Sequence, residues 1–208
     1  MAARIQNMTE GKPLKLILAF SLPLMIGNVF QQLYTVVDTM VVGQALGVGA
    51  LAALGAADWL NWMILGTIQG FTQGFSIKMS HEFGAGDYKR LRKTVANSLL
   101  LALVTSAVLL LFSQFFARPI LELLQTPDLI IEDSLSYLRI MFAGIPVVMA
   151  YNILASILRA LGDGKTPLYA MVVAAVINVI LDLVFVLGFH WGIMGAAGAT
   201  VIAQFCSG

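Results

Sequence analysis

Of the chain's 208 residues, 59% are hydrophobic and only 11% are charged, the net charge is +1, and the mean hydropathy is +0.89. Water-soluble domains carry about a quarter charged residues, so this composition excludes a water-facing globule and points to an integral membrane protein. The near-neutral charge excludes an electrostatic grip on nucleic acid, and the single cysteine, Cys206, excludes a disulfide framework or a cysteine-rich metal centre.

The first apolar run, 14–42, is too long for a signal-peptide core and has no small-residue cleavage site behind it, so it reads as a retained first span. Pro23 lies within it and invites a kink. Tyr34 and Asp38 stand four residues apart and therefore on one helix face. The second span, 50–79, opens on the small-residue segment GALAALGAA (49–57), which allows close helix approach. Asp58 beside Trp59 and Trp62 reads as an interfacial group, and Lys78 can extend its ammonium to the membrane surface. The turn GAGD (84–87) then leads through Lys89, Arg90, Arg92 and Lys93 to a third span, 95–116.

A connection holding Arg118, Glu122, Asp128, Glu132 and Asp133 precedes the fourth span, 130–161, which contains Pro146 and Asn152. Arg139 in that span is expected to reach outward or to pair with Asp133. The turn GDGKTP (162–167) follows, its glycines supplying backbone angles that other residues resist. The fifth span, 168–189, carries Asn178 and Asp182, again four apart, and His190 with Trp191 reads as an outer turn. A sixth span begins near Gly195 with GAAGAT (195–200) and is cut off at Gly208. A bilayer-spanning helix needs roughly 20 residues; barrel strands are far shorter and alternate in polarity. The expected fold is therefore an all-α polytopic helix bundle.

Nine Lys and Arg residues flank the N-terminus and the even-to-odd connections: Arg4, Lys12, Lys15, the four at 89–93, Arg159 and Lys165. The opposite connections hold Arg118 alone. The positive-inside rule places the N-terminus in the cytoplasm.

A carboxylate at bilayer depth costs at least about 2.5 kcal/mol, so it normally faces the bundle interior and works. Asp182 lies fourteen residues beyond Leu168, hence about 21 Å from the inner end at 1.5 Å per residue. Asp38 lies well along the outward-running first span, and Thr200 a few residues into the inward-running sixth. All three fall in the outer half of the membrane. Asp38, Asn178, Asp182 and Thr200 would form an oxygen-rich site for a small hard cation; alternatively, two adjacent buried acids would hold a proton between them. Either describes an ion-coupled transporter. No Walker loop, dinucleotide fingerprint, HExxH or GxSxG motif appears in the chain, so an enzyme is not expected and an ion gradient is the simpler energy source.

Four segments, SLPLMIGNVFQQLYTVVDTMVVGQALG (21–47), FGAGDYKRLRK (83–93), ILRALGDGKTPLY (157–169) and NVILDLVFVLGFHWGIMGAAGATVIAQ (178–204), together resemble the multidrug and toxic compound extrusion (MATE) family, in the bacterial branch of DNA-damage-inducible members. The resemblance implies an inner-membrane antiporter that exports cationic or amphipathic drugs in exchange for H⁺ or Na⁺, with no other cofactor. It implies twelve helices in two six-helix lobes, of which residues 1–208 would be the N-terminal one and the C-terminal lobe a partner in the same chain. It also implies a coupling-ion site at Asp38, Asn178, Asp182 and Thr200, with Tyr34 beside it. These four would ligate the metal if the ion is Na⁺. Some members add a helix-four Asn; Ala155 falls at that position here, with Asn152 one turn away. A lipid-linked oligosaccharide flippase of the same superfamily and a non-transporting membrane subunit are the competing readings. The first would line its cavity with basic residues, for which Arg139 is the only candidate. The second would have no need of paired buried acids.

Overall fold

The computed structural model describes residues 13–208, so Arg4 and Lys12 of the charge argument lie outside the described residues. The expected first two spans form one run, α1 (Pro13–Gly84), of 72 residues. At 1.5 Å per residue it would be roughly 108 Å long if straight, several times the bilayer core. It turns instead at Gly47, whose φ of 82° and ψ of −171° are non-helical. Only glycine takes that conformation without strain. The turn folds Leu51 back over Gly43 so closely that a Cβ at Gly43 would collide with it. Pro23 introduces no comparable break, because the backbone around it stays helical.

α2 (Tyr88–Leu123) is the third span. Its first turn is capped by Asp87, whose carboxylate accepts the Arg90 N–H at 3.0 Å. The fourth span is a broken pair, α3 (Asp128–Ala143) and α4 (Ile145–Ala160), bent by 47°. The expected effect of Pro146 is realised here: it occupies the first turn of α4, where its missing N–H is no loss, and Gly144 forms the joint.

α5 (Lys165–Asp182) continues into a π-helical turn over Leu183–Gly188. The sequence reading expected one uninterrupted helix to residue 189. Single π turns mark functional sites in many helices, and this one begins immediately after Asp182. His190 at φ 56° and Gly192 at φ 62° then reverse the chain into α6 (Gly192–Ser207), which starts three residues before the expected Gly195. The described residues include no strand.

Small residues carry the packing. A Cβ on Gly27 would lie 3.1 Å from Met171 Sδ, so the first half of α1 presses on α5. Ala53 and Ala57 of the second small segment and Ala196, Ala197 and Ala199 of the last are buried, as close helix approach requires. Serine hydroxyls cross-link the helices: Ser134 Oγ donates to Ala53 O at 3.0 Å and Ser76 Oγ to Ser156 O at 3.2 Å. Such bonds average about 0.6 kcal/mol in membrane proteins. The first half of α1 also leaves an apolar stripe exposed along Leu18, Leu22, Met25, Val29, Val36 and Met40.

The GDGKTP turn is held by Asp163. Its Oδ1 accepts the N–H groups of Lys165 and Thr166, both at 3.0 Å, and its Oδ2 accepts the Thr166 hydroxyl at 2.6 Å. Burial works to raise this carboxyl, but the Thr166 and Lys165 hydrogen bonds and the Lys165 charge outweigh it and hold it below its ordinary value. A depressed acid stabilises the fold above its unfolded value and ceases to do so as pH falls through its folded one. Asp163→Ala should therefore cost about 1 kcal/mol at pH 7. Thermal unfolding in detergent is expected to show this deficit above about pH 4 and to show it closing in stronger acid. A deficit independent of pH would rule out the charged cap.

Candidate functional site

Three helices deliver four polar side chains to one place. Asp38 is half-buried on the first half of α1. Asn178 and Asp182 on α5 are 2% and 0% exposed, and Thr200 on α6 is half-buried. The Asn178 carboxamide lies between Asp182 and Thr200. The orientation that satisfies both neighbours turns its nitrogen toward the acid: Nδ2 donates to Asp182 Oδ2 at 3.2 Å, while Oδ1 accepts the Thr200 hydroxyl and N–H, each at 3.2 Å. In the opposite orientation Nδ2 donates to Thr200 Oγ1 at 3.2 Å, and the carboxamide oxygen then faces the acid. Thr200 accommodates both, because its hydroxyl can also donate to Ala196 O at 3.2 Å.

The two orientations would suit two charge states of the acid. A bare Asp182 carboxylate needs the nitrogen. A protonated Asp182, or a cation between it and Asn178, needs the oxygen. The amide thus bridges Asp182 and Thr200, and with them α5 and α6. Across the gap, the Asp38 carboxyl stands close enough to Asp182 to share a proton with it. Asp38 Oδ1 and Asp182 Oδ1 are both buried, and neither has a hydrogen-bond partner among the described residues. Buried acceptors are rarely left unpaired. Two such oxygens on adjacent acids therefore fit a site made to receive a proton or a small cation. No group of three His, Cys, Asp or Glu side chains that could hold a metal occurs among the described residues. A cation here would depend on Asn178 and Thr200 as well as on the acids.

Tyr34 sits within the field of Asp38 and lines a cavity of about 40 Å³ with Gln31, Tyr151, Met171, Asn178 and Thr200. That volume holds a few waters, whereas drug-sized ligands occupy about 300–1,000 Å³. Asn152 is not brought into the cluster: its Nδ2 donates to Val148 O of its own helix at 2.8 Å. Ala155, at the expected position of a helix-four ligand, is buried and offers no donor.

Sequence reasoning missed several members of the neighbourhood. Tyr137 of α3, 6% exposed, lies in the field of Asp38, Asp58, Tyr34 and Asp182. Its only signal in the sequence was to be a phenol in an apolar span. Asp58, read as interfacial, is half-buried and close enough to act electrostatically on Asp38. Its neighbours Trp59 and Trp62 do face outward. Gln31 and Gln204, one turn from Tyr34 and Thr200 respectively, were within reach of the same spacing argument. Arg139 is exposed and forms no ion pair with Asp133; Glu132 pairs instead with Arg118 at 3.2 Å.

The family model MatE matches residues 23–184. The "Probable multidrug resistance protein YpnP" of Bacillus subtilis is 33% identical over 198 residues, which is 95% of this chain and 44% of that protein. The "Probable multidrug resistance protein YoeA" of the same organism is 36% identical over 192 residues, covering 90% of this chain and 42% of that one. Among solved structures, an outward-facing multidrug resistance MATE family transporter of the MOP superfamily superposes with a TM-score of 0.92 at 26% identity. That match covers 100% of this chain and 45% of the other. The chain thus spans less than half the length of the curated relatives it matches.

Proposed function

Since the chain belongs to the MatE family, we propose that it forms the coupling-ion lobe of an H⁺- or Na⁺-driven antiporter that exports cationic or amphipathic drugs. The observation that supports this most is the Asp38–Asp182 pair, with one unpartnered buried oxygen on each acid. An idle structural acid would have been satisfied or solvated. The Asn178 amide gives the pair a means of changing helix contacts when it loads or releases its ion.

The cavity beside the acids is too small for a drug. The substrate therefore needs a larger chamber, which a second, C-terminal lobe would enclose together with this one, and the matched share of the relatives leaves room for such a lobe. Acids at the base of such a chamber favour a cationic substrate. The flippase reading would require a basic cavity, and among the described residues no Lys or Arg lines this one. The site fits Na⁺ through Asp38, Asn178, Asp182 and Thr200, and it fits a proton through the two acids alone. The membrane would be the bacterial cytoplasmic one, with the N-terminus inside.

The test is ethidium efflux from bacteria lacking their own exporters and expressing the complete protein that carries this chain. Efflux faster than in cells with an empty vector is expected. Equal rates, with the protein present in the membrane, would reject the reading.

A further inference from the structure

On the face that the positive-inside rule assigns to the cytoplasm, a second and larger cavity of about 300 Å³ lies between the end of α1, the start of α2 and the end of α4. Its floor is Met79, Leu91 and Ala160, all buried, and its walls include Val95, Leu99 and Ile157. Leu99 is 43% exposed, so the groove opens sideways, toward the lipid. Among the described residues, the one charged side chain on it is Arg92. Arg90 is tied to Asp87 at 3.2 Å, but Arg92 and its exposed neighbours Lys89 and Lys93 form no ion pair among the described residues.

An apolar slot capped by unpaired cations is complementary to an amphiphile with an anionic head and a hydrocarbon tail. Basic pockets between membrane helices on the cytoplasmic side take acidic lipid headgroups. We infer that this groove is a binding site for one anionic phospholipid of the cytoplasmic leaflet, its phosphate at Arg92 and an acyl chain on Leu91, Val95 and Leu99. The ligand also bridges three helices. It therefore holds the start of α2 to the ends of α1 and α4.

The test titrates the purified, delipidated complete protein with dioleoyl phosphatidylglycerol or dioleoyl phosphatidylethanolamine and counts retained lipid by native mass spectrometry. Phosphatidylglycerol should be retained preferentially. Arg92→Gln should reduce that preference about fivefold, the equivalent of the roughly 1 kcal/mol that one basic residue contributes at an anionic surface. Ala96 lines the same groove from its exposed side, so Ala96→Phe should fill the slot without disturbing the core and lose the tightly held lipid of either kind. Excess inorganic phosphate should not displace the lipid. An unchanged preference in Arg92→Gln, unchanged retention in Ala96→Phe, or displacement by phosphate would each overturn the site.

Discussion

Asp38→Asn and Asp182→Asn, each made in the complete protein, are expected to abolish drug efflux while leaving membrane expression normal. Asn keeps the shape of the acid and removes its proton chemistry. Each variant also leaves the other acid beside a neutral amide, so the pair can no longer exchange one ion between two carboxylates. For Asp182 the loss is compounded, because an Asn there removes the charged acceptor that sets the Asn178 amide. The protein should fold at least as well as the parent, since a buried carboxylate at bilayer depth costs at least about 2.5 kcal/mol and its amide far less. Efflux at the parent rate from both variants would remove the coupling role from these residues.

Gly144→Val is expected to be the most damaging change away from the acids. A Cβ there would lie 2.6 Å from Val201 Cγ2, 3.0 Å from Val201 Cγ1 and 3.1 Å from Met141 O. The joint of the fourth span and α6 have no slack to absorb it. Overpacking of this kind typically costs 1–3 kcal/mol. The displaced residue, Val201, also adjoins Thr200, so the 3.2 Å contacts to Asn178 would open. Thermal unfolding in detergent should fall by several degrees and efflux should fall with it. Gly66→Ala is the control: nothing among the described residues lies within 4 Å of a Cβ there, and an alanine in a helix interior is if anything stabilising. Equal melting of Gly144→Val and the parent would contradict the packing argument.

Much of the architecture was legible because a bilayer imposes few solutions. Apolar runs of spanning length, glycine turns at Gly86 and Gly162 with positive φ, and Pro146 at the broken span were all readable residue by residue. Depth arithmetic sufficed to put Asp38, Asp182 and Thr200 at one level, because helix rise is constant. What escaped were features decided by contacts between spans. Asp58 and Tyr137 reach the acids only because the second half of α1 and α3 pack around them, and no periodicity within one helix reports that. The π-helical turn after Asp182 was equally hidden, since its residues Leu183–Gly188 are as apolar as any helical run. Asn152 shows how little depth alone decides: a polar residue at a plausible level gives one N–H of its carboxamide to its own backbone.

The central claim, that the Asp38–Asp182 pair carries the coupling ion, is tested most directly in proteoliposomes with imposed gradients. The complete protein should move ethidium against its gradient when either an H⁺ or a Na⁺ gradient is applied, and should not move it when neither is. Asp38→Asn should respond to neither ion. Uphill transport by Asp38→Asn at the parent rate, or by the parent with no ion gradient, would contradict the account.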